Sequence, residues 1–120
     1  MQKRSSSSVR VFYPKFDKEE LLQIISERLQ ELEVRLPLVR VVLFGSYAKG
    51  NYTVGSDVDL LVVYDGRRRD DAFAIVKKAF DIPRLEPHVY TQEEYRRMRG
   101  TLSRMAEGGV VLLSREKSNE

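Results

Sequence analysis

Residues 39–64 read VRVVLFGSYAKGNYTVGSDVDLLVVY, and this stretch decides the fold. Val39–Phe44 is a continuous β-branched and aromatic run of strand length, apolar on both faces apart from Arg40 and ended by Gly45. Val58–Tyr64 is a second such run. Between them lies GSYAKGNYTVGS, residues 45–56, a glycine-rich segment that must carry the backbone from one strand to the next. It is too brief for an ordinary strand–helix–strand crossover, although periodicity alone leaves the directions of the strands open.

Outward from this pair the chain alternates. Upstream, Phe16-Asp17-Lys18-Glu19-Glu20-Leu21 reads as a helix start, with Asp17 as N-cap, Glu20 closing a capping box and Phe16 stapling onto Leu21. Leu21, Ile25, Leu29, Leu32 and Leu36 then recur at helical spacing until Pro37 stops the run. Downstream, a charged block at Arg67–Asp71 precedes a helix expected to place Phe73, Val76, Ala79 and Phe80 on one face and to end by Pro83. A third strand is expected over Leu85–Tyr90. Thr91 and Glu94 form a second capping box, so a helix follows from Gln92 to Met98 or beyond. A turn at Gly108-Gly109 and the run Val110–Leu113 predict a last short strand. This order describes an α/β (α+β) domain, a small mixed sheet with helices packed on it.

Composition sets the bounds. One domain accounts for 120 residues, and no linker or internal repeat divides them. With no cysteine, thiol nucleophiles, disulfides and cysteine-bound zinc are excluded; one histidine, His88, excludes a histidine-rich metal site. No apolar run approaches the roughly 18 residues that span a bilayer, and MQKRSSSSVRV lacks the apolar core of a secretion signal, so no membrane role and a cytoplasmic setting are expected. The net charge of +3 invites a nucleic-acid reading. Residues 1–16, however, carry Lys3, Arg4, Arg10 and Lys15 and no acid; subtracting those four from 21 basic residues leaves 17 against 18 acidic ones. The excess belongs to a serine-containing leader at 1–16, and the single domain at 17–120 is near neutral, so direct nucleic-acid binding is not favoured.

Chemistry concentrates where the sequence is physically costly. Asp57 and Asp59 sit two residues apart at the head of a strand, so both project from one face with Cα atoms roughly 6–7 Å apart. Like charges repel there, aspartate is a poor strand former, and nothing nearby in sequence neutralises the pair. A divalent cation between them resolves the conflict, and hard oxygen donors favour Mg²⁺ or Mn²⁺ over zinc. Gly45-Ser46 stands at the end of the preceding strand, where a glycine admits close approach of a phosphate and a short helix can begin. Lys49 could supply a point charge and Ser56 a hydroxyl to the same group. Metal, triphosphate and short hydroxyl donors together describe phosphoryl or nucleotidyl transfer. Neither a Walker loop nor a dinucleotide fingerprint occurs.

Gly45-Ser46, ten intervening residues and Asp57-x-Asp59, with an apolar strand on either side, resemble the signature of the minimal nucleotidyltransferases of the DNA polymerase β-like superfamily. The resemblance covers nearly the whole chain. It implies a polymerase β palm-like fold and transfer of a nucleoside monophosphate, AMP from ATP foremost, to a hydroxyl, with release of pyrophosphate. By the same resemblance Gly45 and Ser46 hold the triphosphate, Asp57 and Asp59 hold two Mg²⁺ ions, and a third carboxylate comes from the next central strand. Glu86 is the only acid in that strand and is assigned this metal-ligand and general-base role; the alternative is a surface acid on an edge strand, for which Pro87 argues.

His88 could orient the site or contact a base, or simply pack. Tyr47 and Tyr52 could stack on a base or pack the loop, while the clusters Arg67–Arg69 and Arg96, Arg97 and Arg99 read first as solvated helix faces. A chain this short leaves the acceptor to be held by something else. The resemblance implies a small helical partner of the HEPN type, with this chain as the antitoxin of the pair. Two further readings stand beside it: a catalytically inactive module that occludes its partner, and RNA binding through the leader, which would show steep salt dependence.

Overall fold

Asp17 starts the first helix as the capping box predicts: its side chain accepts from the Glu20 N–H at 2.8 Å, and the Glu20 carboxylate accepts from the Asp17 N–H at 3.0 Å. The computed structural model describes residues 16–115, so the leader expected at 1–16 lies, apart from Phe16, outside the described residues. Helix α1, Lys18–Arg35, buries Leu21, Ile25, Leu29 and Leu32. Leu36 turns extended ahead of Pro37, whose ring admits no further helix.

Strand β1, Leu38–Phe44, leads through a one-turn helix α2, Ser46–Lys49, to β2, Val58–Tyr64. Helix α3, Ala72–Phe80, returns the chain to β3, Leu85–Thr91; helices α4, Gln92–Arg97, and α5, Arg99–Met105, precede β4, Val110–Ser114. The sheet order is β3-β2-β1-β4. Strand β1 runs antiparallel to both β2 and β4, while β2 and β3 are parallel, so the sheet is mixed. The short β1–β2 connection yields an antiparallel pair, and the connection that carries α3 yields the parallel one.

Side-chain alternation along β2 divides the core. Val58, Leu60, Val62 and Tyr64 face α1 and α3, together with Val41 and Leu43 of β1. Leu61 and Val63 face the other way, toward Phe44, Tyr95 of α4 and Leu102 of α5. Phe73 does not join the first cluster. The buried stripe of α3 is Ala72, Val76, Ala79 and Phe80, which turns Phe73 out to 50% exposure. The small Ala72, first residue of the helix, takes the inner position instead. No helix among the described residues is long and apolar enough to cross a membrane.

Two positions test this packing. A Cβ on Gly109, at the start of β4, would lie 2.7 Å from the Leu43 carbonyl oxygen and 2.7 Å from a Val42 methyl. Gly109→Ala is expected to cost about 1–3 kcal/mol and several degrees of Tm in thermal unfolding, whereas Gly55→Ala, with nothing within 4 Å, stays near neutral. At the head of α4, the Thr91 N–H donates to Glu94, which together with Arg68 holds that carboxyl below its ordinary range against the opposing effect of burial. A depressed folded-state pKa stabilises above the unfolded value and is lost as pH falls through the folded one. Glu94→Gln should therefore destabilise at neutral pH, by a margin that closes on acidification through the carboxylate range, measured by denaturant unfolding.

Candidate active site

The antiparallel register brings the two predicted motifs together. Phe44 pairs with Asp59 across β1 and β2, so Gly45, the next residue, lies against the Asp59 side chain. Gly45 has φ +80 and ψ −156, a conformation open to glycine almost alone. A Cβ there would stand 2.5 Å from Asp59 Oδ2. The carboxylate thus occupies the space that any other residue's side chain would need. Ser46 follows as the first residue of α2, whose turn closes through the Lys49 N–H to the Gly45 carbonyl at 3.1 Å and ends on Gly50 at φ +83.

The second neighbour of Asp59 comes from the parallel pairing. Asp59 stands opposite Glu86 and Leu61 opposite His88, which places Asp59, Glu86 and His88 on the face opposite α1 and α3. His88 Nε2 lies 3.5 Å from Asp59 Oδ1, and its ring sits 5.1 Å from the Phe44 ring. Asp57 has its own cation: Arg84 Nη2 lies 3.1 Å from Asp57 Oδ1. The pair that lacks a neutralising neighbour in sequence therefore has one in space, Arg84 just ahead of β3, and an imidazole, His88 of β3, beside Asp59. Glu86 is exposed beside Asp59. Among the described residues no group of three or more histidine or acidic side chains gathers closely enough to hold a metal ion.

The donor set nevertheless fits a hard divalent cation. Asp57 and Asp59 side chains remain 49% and 29% exposed, each contact uses one carboxylate oxygen, and the acidic pair offers only oxygen ligands. Mg²⁺ binds through one or two carboxylates, waters and substrate phosphates rather than a closed protein cage, and this open pair suits it.

The remaining expected residues divide. Ser56 Oγ accepts from the Thr53 N–H at 2.8 Å and so shapes the 53–56 turn. Lys49 closes α2, with its Cε 4.0 Å from where a Gly108 Cβ would stand. Tyr47 and Tyr52 stack on each other at 4.2 Å, the loop-packing alternative. The Tyr47 hydroxyl donates to the Phe16 carbonyl at 3.1 Å, and burial, reinforced by Tyr52, raises its pKa. Lys18 completes a clasp between α1 and α2: its N–H donates to the Tyr52 hydroxyl at 2.9 Å and its Nζ to the Ala48 carbonyl at 2.8 Å. Arg69 pairs with Asp71 and Arg68 with Glu94, as solvated helix-start residues do. Arg84 belongs to no local motif, and the helix-start segment that contains Lys18 says nothing of its distant partners; an arginine just ahead of the third strand is the one signal for the former.

The family model described as a nucleotidyltransferase domain matches residues 18–112. Two Methanocaldococcus jannaschii proteins, both named as candidate protein adenylyltransferases, are similar in part. One is 46% identical over 46 residues, 37% of this chain and 46% of that protein; the other is 58% identical over 26 residues, 22% and 26%. The chain thus matches less than half the length of these curated relatives. A crystal structure of a candidate nucleotidyltransferase from Sulfolobus solfataricus superimposes with a TM-score of 0.58 at 26% identity, over 83% of this chain and 86% of that one.

The glycine cradle can be tested by stability alone. Gly45→Ala adds both a strained φ and a clash with Asp59, whereas Gly50→Ala adds the strained φ with nothing within 4 Å. Gly50→Ala is expected to cost about 1–2 kcal/mol and Gly45→Ala about 1–3 kcal/mol more, read as the difference in denaturant midpoints at constant slope.

Proposed function

The chain belongs to the nucleotidyltransferase domain family, and from that premise we propose that it moves AMP from ATP to a hydroxyl on a partner protein, with Mg²⁺ held at Asp57 and Asp59. One observation carries the proposal: the Asp59 carboxylate rests on the bare Cα of Gly45, so Asp59 and the Gly45-Ser46 turn form one continuous surface. A triphosphate on that turn lies beside its metal ligands. Gly45 leaves room for a phosphate, and Ser46 offers a hydroxyl and a backbone N–H at the first turn of α2. When bound, Mg²⁺ supplies neutralisation of the phosphates and lowers the pKa of the attacking hydroxyl.

Glu86, beside Asp59 in the register, takes the acceptor's proton and serves as the third carboxylate. The acceptor oxygen then bonds to the α-phosphorus, the bond from that phosphorus to the bridging oxygen breaks, and pyrophosphate leaves. AMP is favoured over other nucleotides because both Methanocaldococcus jannaschii relatives are named for adenylyl transfer to protein. The acceptor is a helical partner of the HEPN type, which this chain restrains as the antitoxin of a cytoplasmic pair. A second reading, restraint by occlusion without transfer, draws on the exposed position of Glu86 and the open spacing of the acids.

Labelled ATP, Mg²⁺ and the partner, followed by intact mass measurement, separate the two. Transfer is expected as a gain of one AMP on the partner. Removing even an outer support of a metal ligand costs 10–100-fold, so Asp57→Asn or Asp59→Asn should lower transfer by more than about 100-fold with the fold retained. Glu86→Gln should lose transfer while keeping ATP binding. Full transfer by the Asp57→Asn, Asp59→Asn double variant overturns the proposal, and binding with no transfer by the unaltered chain supports occlusion.

A further inference from the structure

The segment between α3 and β3 holds a residue whose conformation is costly. Arg84 has φ +63, in the left-handed region that disfavours side chains other than glycine and the short amides and acids. Its surroundings repay that strain. The Arg84 carbonyl accepts from the Val58 N–H at 2.9 Å, which begins the β2–β3 ladder. Its guanidinium reaches three consecutive residues ahead of β2: Nη2 donates to the Gly55 carbonyl at 2.7 Å, Nε donates to the Ser56 carbonyl at 3.3 Å, and Nη2 lies 3.1 Å from Asp57 Oδ1. Two carbonyls suffice to fasten the loop. The contact with the carboxylate does something further, because it places a fixed cation on the residue proposed to hold a divalent one.

We infer that Arg84 is the built-in counter-cation of this site, and that a divalent ion binds by replacing it at Asp57; the inference rests on the metal role proposed for Asp57. The two carbonyls explain how the exchange stays local. They hold the guanidinium by its Nε and Nη2, so losing Asp57 Oδ1 requires only a small movement of the fork, with the loop still fastened. A divalent ion on either oxygen of the Asp57 carboxylate stands within a few ångströms of the guanidinium on Oδ1, so the two cations repel and metal and Arg84 compete. Metal affinity is thereby lower than the acidic pair alone would give. The displaced guanidinium remains at the rim, a planar donor suited to phosphate oxygens.

The scale follows from exposure. Side chains 53% and 49% exposed form a pair worth about 0.2–1 kcal/mol, or roughly 1.4- to fivefold in binding. Mn²⁺ binding to the full chain, followed by electron paramagnetic resonance, is expected to tighten about two- to fivefold in Arg84→Gln and to weaken at least tenfold in Asp57→Asn. In the unaltered chain, Mn²⁺ should accelerate modification of Arg84 by phenylglyoxal, located by peptide mass, and leave Arg97, which pairs only loosely with Glu93 at 3.9 Å, unchanged. This second measurement needs no variant and stands even where Arg84→Gln fails to fold. Mn²⁺ that binds through Asp57 without altering Arg84 modification, or an Arg84→Gln chain that folds and binds no tighter, overturns the exchange and leaves the transferase proposal standing. No Mn²⁺ binding to the unaltered chain, with or without ATP, overturns both.

Discussion

The structure turns on the space that Gly45 leaves empty. Asp59 must stand at the head of β2 for the acidic pair to exist, and its carboxylate occupies the volume a Cβ at position 45 would take. This contact ties the end of β1 to the start of β2 and agrees with the antiparallel register, in which Phe44 faces Asp59. A slip of one residue would turn Asp59 toward α1 and α3, among Leu60, Val62 and Leu85, where an unpaired carboxylate is expensive to bury. The apolar alternation of β2 and the bare Cα of Gly45 therefore enforce the same register from opposite directions.

That register also distributes charge. The chain's net +3 suggests a basic molecule, yet the excess sits in residues 1–16, and three acids of the body, Asp57, Asp59 and Glu86, stand at one sheet end. Parallel neighbours in a sheet stand about 4.8 Å apart, so Asp59 and Glu86 would repel strongly were both turned inward. Instead His88 lies against Asp59, Arg84 against Asp57, and Glu86 is left to solvent. Each acid has its own solution: two come from β3 or the residue before it, and the third is solvent.

What the sequence disclosed follows from how far each signal reaches. The capping boxes at Asp17 and Thr91, the stripe of α1 and the strands at 39–44 and 58–64 are patterns within one element, and they stand in the structure where they were read. The Gly45-Ser46 and Asp57-x-Asp59 motifs were legible because one short loop joins them. Bulk points to Phe73 for the buried face, whereas helix geometry selects Ala72. Arg84 was invisible for a different reason: it lies 27 positions beyond Asp57, and only the parallel pairing that α3 makes possible brings them together. The Lys18 clasp is likewise tertiary, since it ties α2 and the loop after it to a helix some thirty residues earlier.

The two faces of the sheet explain why the acids can stay open. On one face α1 and α3 cover the strands, and Leu60, Val62 and Phe80 are fully buried. On the other, α4 and α5 bring only Tyr95 and Leu102 as buried residues, and they pack over Val42, Leu61 and Val63. Asp59 and His88, on that same face but at the sheet end beside Phe44, stay about a third exposed. A third helix there would seal the carboxylates into a low dielectric and raise the cost of their charge. Leaving that end uncovered lets water, cations and phosphates reach Asp57, Asp59 and Glu86.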